Sequence, residues 1–415
     1  MGEKSGVRRR RIVGRRSDDL DRDPYQEEKS PGWNRAACLI GVFAALILTP
    51  IIIAVIPAPI EPVVYLLKEP PVFEGPLEPN THLQKAEHIY EDQVIGPESI
   101  VVDGDHIYTG TADGKILHIH KGEITVLARL GVEPCGTFES EPTCGRPLGM
   151  RLDKEGYLIV ADAYLGLFRV NVATGDVFAL WPSSFPIGGD KIRFLNDVAV
   201  ASNGLIYMTD SSTKWDRRHN RYLVLEADRT GRLLEHDPKT NTTARIASVI
   251  SFANGIQLSQ KEDFLMICET TKARILKYQL TGPGSGEVSV FIDNLPGLPD
   301  NIRPSSSGGY WIGMSAVRQG GKFNLIDYAS QRPWIRTLIT KLFSQDMIMR
   351  FVPKYGLVIE VSAEGKILRS LHDPTGKVIP SVSEVEDKDG VLYLGSYNLP
   401  YMSRLYLSGL DKSKN

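Results

Sequence analysis

Cysteine is scarce in this sequence. Its 415 residues hold four, Cys38, Cys135, Cys144 and Cys268, too few for a disulfide-built scaffold and without the CxxC pairs of a zinc ribbon. Neither sign of charge is in excess. Lys plus Arg number 48 and Asp plus Glu 50, a formal charge of −2, so no global field draws the chain to nucleic acid and no nucleic-acid partner is expected. Two catalytic phrases are also missing: there is no G-x-S-x-G elbow for a nucleophilic serine, and the glycine-rich TGPGSGE from Thr281 lacks the Lys-Ser/Thr of a phosphate loop. Turn formers are plentiful, with 38 Gly and 26 Pro in a chain that is 42% apolar, the make-up of a folded protein with a large core.

The one long apolar run lies near the N-terminus. Residues 1–35 carry ten Lys or Arg against seven acids and read as a solvated basic tail. Residues 36–56, inside an uncharged stretch that continues to Ile60, exceed the roughly 20 residues a helix needs to cross a bilayer. This is too long for a signal-peptide core, and Pro50 is tolerated in a lipid-embedded helix. Only Lys68 is basic between residues 57 and 70, so the positive-inside rule keeps the tail cytoplasmic and makes the chain a type II single-pass membrane protein. Its C-terminal part then faces the endoplasmic reticulum lumen or the cell exterior. Residues 57–83, rich in proline, read as an extended stalk, with the folded domain at 84–415.

From residue 84 a strand-and-turn phrase recurs: DGDHIYTGTADGKILHI, DKEGYLIVADAYLGLFRV, ASNGLIYMTDSSTKW, SQKEDFLMICETTKARILKY, SSSGGYWIGMSAVR and DKDGVLYLGSYNLPYMSRLYL. Six copies spaced mostly by 46 to 59 residues, each a small antiparallel meander, indicate an all-β fold, a six-bladed β-propeller. The 81-residue spacing before the last copy holds a helical insertion. There Trp334, Ile335, Leu338, Ile339, Leu342 and Phe343 form an apolar face, and Arg332, Arg336 and Lys341 fall off it.

Just ahead of each phrase a polar residue enters an apolar strand. In a propeller the first strand of each blade lines the central channel, so Glu98, Asn196, Asn254, Asp300 and Asn301 should converge at one mouth. Carboxylate and amide oxygens are hard donors suited to Ca²⁺ or a similar cation; as isolated residues they would merely serve the turns. Cys135 and Cys144, nine apart in a Gly- and Pro-rich loop, should join as a disulfide in an oxidising lumen. Asn241 opens the one glycosylation sequon, Asn241-Thr242-Thr243.

The motifs PTCGRPLGM, ADAYLGL, LNDVAV, YMTDSSTKWDRR, FANGIQLS, LPDNIRPSSSGGYW and DGVLYLGS resemble, in that order, the strictosidine synthase-like propellers. Paraoxonase-type arylesterases and lactonases and the gluconolactonase group are more distant relatives with the same six-bladed plan. The resemblance implies a channel calcium held by Glu98, Asn196, Asn254, Asp300 and Asn301, and an arylesterase-like hydrolase acting on an aryl ester or lactone. Two positions depart from the pattern. The paraoxonase type carries a histidine base where this chain has Leu148, and strictosidine synthase carries a glutamate where it has Ser383, with Glu384 adjacent. Glu98 and Glu384 are therefore the candidate catalytic carboxylates. Two competing readings are a non-catalytic propeller that binds a protein or lipid ligand, and a strictosidine synthase-like lyase without its usual glutamate. No protein partner is legible.

Overall fold

The computed structural model describes residues 35–410, so residues 1–34 of the expected basic tail lie outside the described part. Helix α1 (Arg35–Val55) occupies the expected span. Its segment Ala37–Val55 is long and apolar enough to cross a membrane. It belongs to a compact unit of its own, separate from Pro57–Asn415.

The second unit is a six-bladed β-propeller made of six four-stranded antiparallel sheets. Blade 1 runs Ile100–Asp103, His106–Gly110, Lys115–His120 and Glu123–Arg129. Blades 2, 3 and 4 begin at Pro147–Leu152, Leu195–Val200 and Ala253–Leu258, and blade 5 at Gly297–Pro304. Burial falls from the inside out. In blade 2 the second strand, Tyr157–Asp162, is almost wholly buried, whereas the outer strand Val177–Pro182 is not, since inner strands are covered on both faces by neighbouring blades. The core accordingly lies between blades: Met266, Cys268 and Ile275 of blade 4 pack with Ile302, Ile312 and Leu357 of blade 5. Blade 6 takes three strands from the C-terminal end, Glu384–Lys388, Val391–Gly395 and Met402–Tyr406, and its outer strand, Glu87–Ile89, from the start of the domain. Pairing of Glu87 with Arg404 and Ile89 with Met402 closes the ring.

Short helices stand outside the repeat. Helix α2 (Glu141–Cys144) carries Cys144, which is disulfide-bonded to Cys135. Helix α3 (Asn220–Glu226) interrupts blade 3. Helices α4 (Leu325–Ser330), α5 (Pro333–Leu342) and α6 (Gln345–Met349) form the insertion. It lies inside blade 5, between that blade's second strand Tyr310–Val317 and third strand Gly356–Val361.

Two expectations need correction. Residues 57–83 avoid helix, apart from short 3₁₀ turns, as their prolines require, but they are not a free stalk. Ile60, Tyr65, Phe73, Leu77 and Leu83 are buried against the domain, because leaving such side chains in water would forfeit about 1.5–3 kcal/mol each. The backbone is tied down as well: Val63 N donates to the Glu226 carbonyl, and Arg318 Nη2 and Asn80 Nδ2 donate to the carbonyls of Lys68 and Ser370. The inward face of α5 is also turned from the expected one. Trp334 is 65% exposed, whereas Arg336 is 1% exposed. The Arg336 guanidinium donates to the carbonyls of Leu225, Val63 and Ser330, joining α3, α4 and the N-terminal segment, and that position must face inward.

Candidate functional site

The channel opens on one face into a chamber of about 710 Å³. Glu98, Asn196, Asn254 and Asp300 line it where the inner strands of blades 1, 3, 4 and 5 begin, and α3 to α6 supply much of its apolar wall. Leu148, at the position where the resemblance leads one to expect a histidine, also lines it and packs with Phe194, Leu223 and Phe252.

Hydrogen bonding orients the amides. Thr270 Oγ1 donates to the Pro299 carbonyl at 2.7 Å, so it can only accept from Asn254 Nδ2 at 3.1 Å. That leaves Asn254 Oδ1 as the free end. Asn301 Nδ2 donates to Glu98 Oε1 at 3.0 Å and faces the Glu98 carbonyl at 3.4 Å, which frees Asn301 Oδ1 in the same way. Four buried oxygens of the expected donor set therefore have no hydrogen-bond partner: Glu98 Oε2, Asn196 Oδ1, Asn254 Oδ1 and Asn301 Oδ1. Asp300 accepts side-chain hydrogen bonds from Asn254 and Ser383. Buried acceptors left open at this density are costly and are what an oxygen-seeking cation satisfies. Among the described residues, no group of three or more His, Cys, Asp or Glu is arranged to hold a metal ion. A cation in this channel would have to rely on the asparagine oxygens. Burial, followed by the charges of Asp300 and Asp197, raises the Glu98 carboxyl above the usual range; burial raises Asp300 too.

The strands are packed too tightly here for a side chain. A Cβ on Gly255, beside Asn254, would stand 2.6 Å from Asn301 Cα and 2.7 Å from the Asp300 carbonyl oxygen. Glycine is what lets blades 4 and 5 bring their donors together.

Glu384 lies apart from the chamber residues. Fully buried and outside the chamber lining, it accepts from Arg303 Nε at 2.5 Å, and Arg303 also holds Asp197 at 2.8 Å. Its Oε1 belongs to a buried ion network, while its Oε2 has no hydrogen-bond partner. Asn301 likewise sits behind the lining, reaching the site through Glu98. His118 stacks with His106 and His120 on blade 1, outside the chamber lining. Asn241 is exposed in the turn before the outer strand of blade 3. Arg217, Arg221, Thr270 and Tyr397 line the chamber although none was singled out as a site residue. The WDRR phrase held the one available signal, a basic pair entering α3.

Residues 196–283 match the strictosidine synthase family and residues 75–119 the strictosidine synthase-like N-terminal family. The chain is 46% identical over 414 residues to the adipocyte plasma membrane-associated protein of Salmo salar, covering 98% of this chain and 100% of that one. Among solved structures it is similar to a gluconolactonase of Xanthomonas campestris, with a TM-score of 0.54 at 16% identity over 85% of this chain and 99% of that one. It is also similar to a calcium-binding protein, regucalcin, of Agrobacterium tumefaciens, with a TM-score of 0.50 at 13% identity over 77% and 92% of the two chains. These two likenesses concern the fold.

Proposed function

The chain belongs to the strictosidine synthase-like family, and from that premise we propose that it is a membrane-anchored, arylesterase-like hydrolase of aryl esters or lactones with a divalent cation, calcium, in its channel. The observation that carries this reading is the set of unpartnered buried oxygens of Glu98, Asn196 and Asn254 at the base of an apolar chamber, with that of Asn301 behind them. An all-oxygen donor set favours calcium over metals that prefer nitrogen or sulfur.

When bound, such a cation supplies Lewis acidity toward an ester carbonyl oxygen. The protein's own groups do the rest. Leu148, Phe194 and Phe252 hold an apolar acyl or aryl group and keep bulk water from the floor. Glu98 is the carboxylate placed to move a proton: Oε1 is fixed by Asn301, and Oε2 keeps a lone pair beyond the one it would give the cation. Helix α1 anchors the chain, with the basic tail cytoplasmic and the propeller luminal or extracellular, where the exposed Asn241 is open to glycosylation.

Leu148 favours a second reading, in which the propeller binds a ligand without turning it over and the cation is structural. Hydrolysis of phenyl acetate and of a γ-lactone by the full-length protein separates the two. Chelation should abolish turnover and calcium should restore it, while Glu98→Gln should weaken calcium binding by about tenfold through loss of a ligand charge. A folded Glu98→Gln protein with full calcium-independent hydrolysis would refute the metal mechanism. A wild-type protein that binds calcium and hydrolyses neither substrate would establish the second reading.

A further inference from the structure

Three arginines line the chamber, and two are already engaged. Arg217 forks onto Glu141, with Nε and Nη2 each 2.6 Å from a carboxylate oxygen. Arg336 is spent on the carbonyls of Leu225, Val63 and Ser330. Arg221, the second residue of α3, is different. It is half-buried, its Nε is enclosed without a partner, and among the described residues it makes no hydrogen bond or ion pair. A partly desolvated guanidinium with no acceptor costs stability. Tyr397 lines the same space, makes no hydrogen bond through its hydroxyl among the described residues, and lies within the field of Arg221. Around them the wall is apolar, with Val224, Leu225, Ile335 and Ile339.

We propose that Arg221 is the anion-reading residue of this chamber and that its ligand is an amphiphilic carboxylate, an apolar body bearing one carboxylate group. The planar fork of a guanidinium matches that head group in shape as well as charge. Arg221 holds the carboxylate at the wall and leaves the apolar body to fill the remaining space. For a hydrolase this selects esters or lactones that carry a free carboxylate, or retains the acid product. The inference rests on the reading of the chamber as the ligand site, but not on catalysis.

Calorimetric titration of the full-length protein in lipid nanodiscs tests it, with octanoate and octanol as probes, protein-free nanodiscs subtracted, and each run made with calcium and with EDTA. Octanoate should bind about tenfold more tightly than octanol, the scale of one charge-assisted hydrogen-bonded pair. Arg221→Gln should erase that preference and leave octanol unchanged. Arg221→Met, which keeps the apolar stem, carries the same comparison should the glutamine variant fail to fold. A preference that survives both substitutions, or one that disappears with EDTA alone, overturns the assignment, and equal binding of the two probes by wild type does so as well. Binding of neither probe removes the chamber reading itself. Arg221-dependent octanoate binding by a protein that hydrolyses nothing upholds the assignment and removes only the hydrolase.

Discussion

Thr270→Val tests whether the channel oxygens are aimed by design. The substitution is nearly isosteric and touches no donor oxygen. Thr270 is 2% exposed, and its hydroxyl joins the Asn254 amide at 3.1 Å to the Pro299 carbonyl at 2.7 Å. Valine removes both bonds and strands one buried donor and one buried acceptor, at a cost of about 1–3 kcal/mol. At about 2.1 cal/mol/K per residue of unfolding entropy, a propeller of this size should lose roughly 1–4 °C in Tm. The larger effect falls on binding. With Thr270 gone, only the bond to Asp300 still orients the Asn254 amide, Oδ1 is aimed less firmly at the channel, and calcium affinity should fall about tenfold, the lower end for outer-shell partners of a metal site. Thr270→Ser retains the hydroxyl and should bind nearly as wild type does. Direct calcium titration alongside a thermal melt reads both quantities without any assay of turnover. A Thr270→Val protein that melts lower yet binds calcium as tightly as wild type would show that the threonine only supports packing, and would refute the reasoning about amide orientation.

Arg303→Met should destabilise the domain by about 3–5 kcal/mol, because Asp197 and Glu384 would be left buried without the cation that both contact; a melt within 2 °C of wild type would contradict this. His372 is enclosed between the Tyr355 hydroxyl and Ser370 Oγ, and burial holds it down to about 4 from its ordinary 6.5. Its neutral form therefore stabilises the fold fully above pH 6.5, and this contribution is lost as the pH falls toward 4. Wild type should lose Tm faster than His372→Gln between pH 6.5 and 4.5, and parallel curves would refute the assignment.

Much of the propeller is legible because its repeats are regular. A polar residue recurs at the same phase of each blade, and blade geometry alone carries Glu98, Asn196, Asn254 and Asp300 to one floor. Asn301 shows the limit of that logic. It follows Asp300 directly, in a stretch where the strand register shifts, and it faces behind the floor, so it contributes by holding Glu98. Glu384 was a reasonable candidate from its neighbourhood, but its partner Arg303 lies 81 residues away, and no spacing rule encodes that pairing. The closing strand Glu87–Ile89 is three residues long, too short to carry an alternation of its own.

The parts hardest to read are those outside the repeat. A periodic stripe shows that α5 is amphipathic but not which side meets the protein, and here Arg336 decides the matter by serving three carbonyls at once. Helix α3 spans seven residues, barely two turns, too short for any periodic signal. Yet α3 and the insertion supply most of the apolar wall and the uncommitted Arg221. On the proposed reading, blade repetition places the donor floor, whereas ligand selection falls to irregular elements outside the ring. Substitutions in α3 to α6 should alter which ligands bind while sparing calcium, and substitutions at the strand entrances should do the reverse.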